Sequence, residues 1–457
     1  MSKSTGSENV SILRGKLSNS VGLPFGEVLP EATIEQALKD AGVSYRRRLF
    51  CPIVTIWTWV CQMLSKDKSC KNAVSNVVSH LSFAGVEPPS TRTGAYCKAR
   101  KRLRERVLVF LLRLTGKHLH EQNQELWHGR RVIIADGSTV TMDDTQANQE
   151  QYPQPGSQAE GCGFPMANIV ALFCLHTGAL LEAVIGALST HELNLFRSLY
   201  GRLQPDDVVL GDRLYGSYAD ICLLQSRGID CVFRMHQRRK TDFRRGKILG
   251  IYDHIVEWIK PKACPPGLDP LLFARLPESI KLREVRYLIE TKGFRTQKVT
   301  LVTTLLDAEL YPKEALAELY HMRWSIEIDL RHLKTTMRME HLSSKTPDMA
   351  RKEFYVHLLA YNLIRAIMFQ SATEHDVKPL ELSFQATIQH HSNFSHALAS
   401  TDAEERKRLY SVLLYLVSKE RLPIRPGRVE PRMKKRRPRK YKWLQQHRKK
   451  LKKQLAA

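Results

Sequence analysis

An acid and several cations lie close together in one short stretch of the chain, in a combination that suits phosphate chemistry. The residues are Tyr320, Arg323 and Glu327, followed by Arg331 and Lys334. On a helix they fall within about 80° of one another, beside an apolar stripe. A half-sheltered carboxylate there could bind a metal ion while Arg and Lys bind phosphate oxygens. The same row could instead be a solvated face with ion pairs four residues apart.

Two aspartates follow short apolar runs that are typical of buried strands. Val132–Ala135 precedes Asp136, and Val208–Gly211 precedes Asp212. Each run predicts a strand that ends on its aspartate. Each aspartate alone could be a cap or turn residue that binds backbone N–H groups. Two strand-end acids and one helix acid in a single chain favour a shared catalytic site.

The sequence between the aspartates predicts the elements that would position them. Residues 168–186 form a hairpin around a turn at 176–178. A helix follows from the capping-box pattern beginning at Ser189 and runs to about Arg202. The capping box explains Glu192 as a structural residue.

Beyond Asp212 the pattern predicts a helix over residues 217–226 and a strand over residues 229–234. The helix that carries Glu327 comes after a long interval. This order indicates an α/β fold, a mixed sheet with helices on its faces, and its first three strands are expected to be antiparallel.

The four-residue pattern resembles the signature of a known family, the DDE transposases of bacterial insertion sequences in the insertion-sequence-four family. Its Y-(2)-R-(3)-E-(6)-K spacing is matched by Tyr320, Arg323, Glu327 and Lys334. The acid motifs Asp-Gly-Ser and Gly-Asp-Arg look like the first and second acid motifs of that family. The resemblance covers roughly residues 125–370.

The resemblance implies an RNase H-like mixed-sheet catalytic core with a β-rich insertion, preceded by a helical N-terminal domain and followed by a basic C-terminal tail. The expected domains are a helical DNA-end recognition domain, the catalytic domain, a helical C-terminal region and a disordered DNA-contacting tail. Their boundaries are 1–125, 126–370 with the insertion at 236–310, 371–420 and 421–457.

Three carboxylates without His or Cys partners select hard cations, so Mg²⁺ is expected and Mn²⁺ should substitute. Two such ions can activate a water or a DNA 3′-hydroxyl and stabilise the leaving oxygen in an in-line displacement. By resemblance, the two ions bind to Asp136, Asp212 and Glu327. The residues expected to position DNA phosphates are Tyr320, Arg323 and Lys334, with Arg331 as a helper.

The implied activity is DNA cleavage at the ends of a mobile element and strand transfer into target DNA. Its partners would be terminal inverted repeats, target DNA and a second copy of the chain, because two element ends are handled together in a synaptic complex. Two alternatives stay open. One is a noncatalytic DNA-binding regulator on a transposase scaffold, and the other is an RNase H-like nuclease that does not join ends.

The charge of the chain agrees with a nucleic-acid partner. Lys and Arg exceed Asp and Glu by 71 to 46, and residues 421–457 hold 16 of these cations against one acid. That tail could follow DNA phosphates or serve only as a solubilising segment. A second basic cluster, Lys98–Arg106, begins a predicted helix that runs to about Leu114. This cluster could recognise the ends of the element, or it could be a solvent-exposed helix face, and the sequence favours neither. A third, Arg238–Arg245, lies in the proposed insertion.

Cysteine content and hydropathy limit the cellular compartments in which the protein is expected to work. Nine cysteines with no C-x-x-C pair argue against a disulfide framework and a zinc site, and favour a reducing cytoplasm, where a DNA-binding protein would associate with the nucleoid. The uncharged stretch Leu49–Ser65 is shorter than the roughly 20 apolar residues that span a bilayer. It predicts a core helix, and no membrane partner is expected.

Overall fold

The chain folds into two compact units, each described by itself. The computed structural model describes residues 11–13, 15, 29–46, 48–83, 85, 87–122, 125–289, 297–323, 325–423 and 442–456, with the backbone alone at 289, 297 and 325–327. As far as they are described, the helical unit comprises residues 1–125, 176–182 and 328–422, and the sheet unit comprises 126–175, 183–327 and 423–457. The predicted catalytic domain, 126–370, is therefore divided between the two units.

Five helices form the N-terminal part of the helical unit. They are α1 Glu31–Asp40, α2 Pro52–Leu64, α3 Cys70–Phe83, α4 Gly94–Arg102 and α5 Glu105–Glu121. Helix α2 is the predicted core helix, and both of its tryptophans are buried. The helix expected from Lys98 to Leu114 was wrong as a single element. Leu103 is buried in an extended conformation, which ends α4 before α5 begins.

The core of the sheet unit is built from five strands. They are β1 Val132–Met142, β2 Met166–Cys174, β3 Leu180–Ala187, β4 Val208–Gly211 and β5 Asp230–Arg234. Helix α6, Gln146–Gln151, follows β1, helix α7, Glu192–Ser198, follows β3, and helix α8, Tyr218–Gln225, follows β4. A 3₁₀ turn, Tyr200–Arg202, completes the region expected to be helical after β3.

The order of these strands is β3-β2-β1-β4-β5. β1 pairs antiparallel with β2, and a turn with Gly178 at φ 66° joins β2 to β3. β1 and β5 flank β4 and run parallel to it. The expected RNase H-like mixed sheet is confirmed. The expectation that the first strand ends at Asp136 was wrong, because β2 supplies backbone partners as far as Thr141.

The inserted segment extends this same sheet. Its elements are β6 Lys247–Gly250, β7 Asp253–Ile259, α9 Pro270–Ala274, β8 Ser279–Ile289 and β9 Gln297–Thr303. β9 pairs antiparallel with β5, and the order continues β9-β8-β7-β6. The β-rich insertion is confirmed. Its backbone hydrogen bonds make it an extension of the mixed sheet.

The predicted continuous helix around Glu327 is broken. Helix α10 is Lys313–Met322, helix α11 is Ser325–Arg331, and a π-helical turn follows over His332–Thr336. Arg323 N–H donates to Tyr320 O at 3.2 Å, which tightens the end of α10. The expectation that these residues share one continuous helix was therefore wrong, and Met322 at the end of α10 is 40 % exposed.

The remaining elements are β10 His341–Leu342, α12 Pro347–Glu374, α13 Phe384–Ser400, α14 Ala403–Lys419 and α15 Arg448–Ala456. Helix α12 has a Pro at its first position, a Thr346 cap and apolar residues around most of its circumference, which suits the centre of the helical unit. The basic tail is described only in part, since residues 424–441 lie outside the described residues. Helix α15 occupies a segment that was expected to be disordered. Within the described ranges, no helix is long and apolar enough to cross a membrane.

Candidate active site

Asp136 lies in β1, and Asp212 follows the end of β4, the parallel strand beside β1. The pairing of β1 with β4 sets Ile134 opposite Leu210. Asp136 lies two residues further along β1, and Asp212 directly follows the end of β4. The negative charge of Asp212 raises the pKa of Asp136, so the two carboxylates lie within electrostatic range of each other. Adjacent strands lie about 4.8 Å apart, and paired residues project to the same face. The structure thus brings together two of the acids predicted from the sequence.

Asp212 is held by a tight turn at the end of β4. Its Oδ1 accepts a hydrogen bond from the backbone N–H of Leu214 at 2.7 Å. Gly211 must lack a side chain, because a Cβ there would lie 2.9 Å from the Tyr215 ring and 3.0 Å from the Phe233 ring. The prediction that this aspartate binds a backbone N–H in a turn is therefore correct. The hydrogen bond uses Oδ1, so Oδ2 of the same carboxylate can serve as a ligand.

Asp136 is a half-buried acid with an unusual proton affinity. Burial raises the pKa of its carboxyl to about 7, while the positive charge of Arg323 opposes the rise. The backbone N–H of Gly137 donates to Asp136 Oδ1 at 3.0 Å and also opposes it, whereas the charges of Asp212 and Glu192 add to it. A cation beside this group would favour the ionised carboxylate.

Glu192 is a further acid at this place that the sequence did not reveal. Its Oε1 accepts a hydrogen bond from the Tyr215 hydroxyl at 2.5 Å. Its carboxylate fills the space above Gly137 where a Cβ would otherwise lie. Burial raises the pKa of Glu192, and the charge of Asp212 raises it further. Three acids therefore influence one another across β1, β4 and α7.

The capping-box explanation of Glu192 was wrong. Helix α7 begins at Glu192, and its N-cap residue is His191, whose Nδ1 accepts from the backbone N–H of Leu193 at 3.3 Å. Glu192 lies in the first turn instead of the third helical position that a capping box requires. The only sequence signal for its role was the small residue Gly137 next to the first acid.

Tyr320 and Arg323 lie beside the aspartates, at the end of α10. Tyr320 is 4 % exposed, and the guanidinium carbon of Arg323 lies 5.5 Å from its ring centre. Burial raises the pKa of Tyr320, with the charge of Arg323 opposing the rise and that of Asp212 adding to it. Because the charge of Arg323 also acts on Asp136, this arginine lies within electrostatic range of the acids.

Arg234 is a cation that sequence reasoning missed. It is half-buried at the end of β5, the strand next to β4. Its positive charge opposes the rise in the pKa of both Tyr320 and Tyr287, so it lies near the pair formed by Tyr320 and Arg323. The strand ending on this residue was predicted, but nothing in the pattern pointed to its role.

The remaining predicted residues are placed less completely. Glu327 lies in α11, and its side chain is outside the described residues. Arg331 is exposed in the last turn of α11, and Lys334 is half-buried in the π-helical turn. These two cations belong to the helical unit.

The donor set of this site suits a hard divalent cation. Among the described side chains, which do not include that of Glu327, no group of three or more His, Cys, Asp or Glu residues is arranged to hold a metal ion. Asp136 and Asp212 supply only oxygen donors, and such donors match Mg²⁺ or Mn²⁺. A buried carboxyl whose pKa has been raised by desolvation also gains most from a neighbouring cation.

The sequence profile described as the transposase DDE domain matches residues 127–363. That match covers more than half of the chain and includes both aspartates, Arg323 and Glu327. The chain belongs to the DDE transposase family. It is an enzyme of DNA transposition, and its family implies DNA binding and dependence on a divalent metal.

Several proteins are similar to this DDE transposase. "Transposase InsG for insertion sequence element IS4" of Escherichia coli (strain K12) is 25 % identical over 91 % of this chain and 92 % of its own length. "Transposase for insertion sequence element IS231F" of Bacillus thuringiensis subsp. israelensis is 20 % identical over 74 % of this chain and 77 % of its own. A solved piggyBac transposase synaptic complex with hairpin DNA has a TM-score of 0.43 at 11 % identity, covering 86 % of this chain and 84 % of that chain.

Proposed function

We propose that Asp136, Asp212 and Glu327 hold two Mg²⁺ ions, for which Mn²⁺ can substitute, and that these ions drive cleavage at element ends and strand transfer into target DNA. The observation that carries this proposal is the proximity of Asp136, in β1, to Asp212, at the end of the neighbouring parallel strand β4, which the effect of the Asp212 charge on the pKa of Asp136 reports. The bound ions would activate the attacking oxygen and stabilise the leaving oxygen. Glu327 supplies the third acid from the helix that follows Arg323 in the chain.

The protein residues around this centre bind and orient the DNA. Arg323 supplies a cation within electrostatic range of Asp136, where it can donate to a phosphate oxygen. Tyr320 keeps that guanidinium in place against its ring. Lys334 and Arg331 are proposed to contact further phosphate groups of the DNA. Burial of the surrounding β-strands lowers the effective dielectric constant near the acids and strengthens each of these interactions.

Glu192 completes the acidic lining of the site. Its hydrogen bond from Tyr215 fixes the carboxylate, and its charge favours the protonated form of Asp136 until a cation binds. Glu192 therefore increases the attraction of the site for a divalent ion and couples metal binding to proton release from Asp136. In this role it acts through Asp136.

The DNA partners are the terminal inverted repeats of the element and its target. The N-terminal helices recognise the repeats, and the basic tail adds contacts to phosphates. A homodimer brings two element ends together, so that each end is cut and joined in one synaptic complex. We propose that the protein acts at the nucleoid in a bacterial cytoplasm, which its free cysteines and its DNA partner favour.

The test is a cleavage and strand-transfer assay in Mg²⁺ on DNA that carries the repeats flanking the gene. Native protein is compared with Asp212→Ala and with Asp144→Ala, a control that removes an exposed acid shortly after β1. We expect cutting and joining by the native and control proteins. Asp212→Ala should bind DNA without cutting it.

Three outcomes would count against the proposal. Binding without cutting by the native protein, in Mg²⁺ and in Mn²⁺, would favour the noncatalytic regulator. Cutting without any joined product would favour the RNase H-like nuclease. Equal loss of activity in Asp212→Ala and Asp144→Ala would contradict the assignment of the metal site.

A further inference from the structure

A cavity of about 730 Å³ opens in the helical unit, remote in sequence from the DDE acids. Its walls come from the loop between α1 and α2, the start of α2, and the junction between α4 and α5. The floor includes Ala99 and Leu103, which are buried, and four arginines line its sides. The arginines are Arg46, Arg48, Arg102 and Arg104.

Among the described residues, these four arginines have no acidic counterpart. All four are exposed, and the cavity lining contains no Asp or Glu. Glu105, the acid next in sequence, accepts from Arg351 at 2.7 Å instead. Within the described part of the chain, none of the four guanidiniums forms an ion pair. Four guanidinium groups around one concave surface repel one another. An anion bound there would reduce this repulsion, which is present in the protein without a ligand.

Two helix N-termini reinforce the positive potential. Helix α2 begins after Cys51 and helix α5 begins after Arg104, and both of these N-cap residues line the cavity. Neither cap side chain accepts a hydrogen bond from the first turn of its helix. The N–H groups of a first turn carry partial positive charge and bind anions such as phosphate.

The same geometry separates the residues of the basic cluster Lys98–Arg106. Arg102 and Arg104 line the cavity, whereas Lys98 and Lys101 are exposed elsewhere on α4. Arg106 donates to the carbonyl of Ala41 and fixes the rim next to Gly42. The basic cluster is therefore more than a single solvent-exposed face of one helix. Part of it builds a concave surface.

We propose that this cavity binds phosphate groups of the DNA backbone. Guanidinium groups match phosphate oxygens with paired donors, and a volume of about 730 Å³ admits a stretch of strand rather than a single small ion. The inference rests on the DNA partner of the proposed function. It does not depend on the metal site, because phosphate binding here requires no divalent cation.

The test measures DNA affinity in EDTA, with full-length protein and a fluorescent 20-base-pair duplex, across a range of salt concentrations. Arg102→Ala/Arg104→Ala is compared with Lys98→Ala/Lys101→Ala, which removes the same charge from the same region outside the cavity. Each lost phosphate contact lowers the slope of log affinity against log salt by about 0.9. We expect the arginine pair to lower the slope by about 1.8 and the affinity by about 100-fold. The lysine pair should change the slope by less than about half of that amount.

A second arginine variant and a pyrophosphate binding measurement distinguish loss of the cavity site from unfolding and from binding of a free anion. Arg46→Gln/Arg48→Gln, in the loop, should reproduce the loss if Arg102→Ala/Arg104→Ala unfolds. Inorganic pyrophosphate distinguishes a free anion from the DNA backbone. Pyrophosphate binding that the arginine variants abolish, with an unchanged DNA slope, would overturn the assignment to DNA. If the arginine pair and the lysine pair lower the slope of log affinity against log salt equally, the proposal that the cavity binds DNA phosphates would be overturned. Cleavage in Mg²⁺ is scored separately, so failure of the metal site leaves this measurement intact.

Discussion

Replacing Asp136 with Asn should stabilise the protein in the absence of divalent metal. Asn keeps the shape of the side chain and removes the charge that burial makes costly. The pKa of Asp136 is raised from 3.8 to about 7, so its ionisation costs folding free energy at neutral pH. The native protein carries this cost because its function requires an ionised ligand.

The magnitude follows from the linkage between the pKa and stability. A raised acid pKa means that the folded state holds its proton more tightly, so stability is lost as pH rises from about 4 and the loss is complete above about 7. At about 1.4 kcal/mol per unit, the ceiling is roughly 4 kcal/mol. Water that reaches the half-buried carboxyl reduces this to about 2–4 kcal/mol at pH 8. Near pH 4 the two proteins should be equally stable.

The assay is urea unfolding in EDTA at several pH values between 5.5 and 8, with Asp144→Asn as the exposed control. The stability gain of Asp136→Asn should grow with pH by about 2 kcal/mol across this range. Saturating Mg²⁺ should then stabilise the native protein by a further 2–3 kcal/mol at 100 times its dissociation constant, and leave Asp136→Asn unchanged. If Asp136→Asn is no more stable than the native protein at pH 8, the inference that the ionised Asp136 carboxylate destabilises the fold would be refuted.

Three further results are expected from the same site. Glu192→Gln should lower the pKa of Asp136 by removing a negative neighbour, so the pH at which cleavage reaches half its maximum should move to lower values, and an unchanged pH profile would contradict the coupling of the two acids. Gly137→Ala should destabilise the fold by about 1–3 kcal/mol, because its Cβ meets the Glu192 carboxylate, and thermal unfolding of the Gly137→Ala/Glu192→Ala double variant should recover most of that loss. Arg323→Lys should keep DNA affinity within a few-fold and reduce the cleavage rate at saturating DNA by about 10- to 100-fold, because Lys lacks the paired donors of Arg; equal losses in affinity and rate would show that Arg323 only binds.

The two aspartates could be predicted from sequence because their signals are local. An apolar run followed by an acid and a turn marks where a buried strand delivers a side chain. Their proximity depends on the parallel register of β1 and β4, which joins residues far apart in the chain. The resemblance to DDE transposases supplied that information in place of a physical signal.

Glu192 could not be predicted, because its role depends on a nonlocal contact. The pattern from Ser189 to Glu192 fits a capping box locally, but the helix begins at Glu192 itself, and the carboxylate turns toward Tyr215. Arg234 was missed for the same reason. It looks like the ordinary polar end of a strand until β5 is set beside β4.

The helix around Glu327 shows the limit of a helical wheel. Its spacing was correct as a family signature, while a single continuous helix was not formed. A tight turn at Arg323 and a π-helical turn after Arg331 change the angular relation of residues before and after each break. Likewise, alternation predicted the strands of the insertion but could not show that β9 would pair with β5.

A thiol substitution at Asp212 tests the central claim most directly. Asp212→Cys replaces a hard oxygen ligand with a sulfur ligand that disfavours Mg²⁺ and accepts softer ions. We predict that DNA cleavage by this variant falls at least about 100-fold in Mg²⁺ and recovers substantially in Mn²⁺, relative to native protein in each metal. Asp144→Cys should cleave like native in both. Equal inactivity of Asp212→Cys in both metals, or full activity in Mg²⁺, would contradict metal coordination by Asp212.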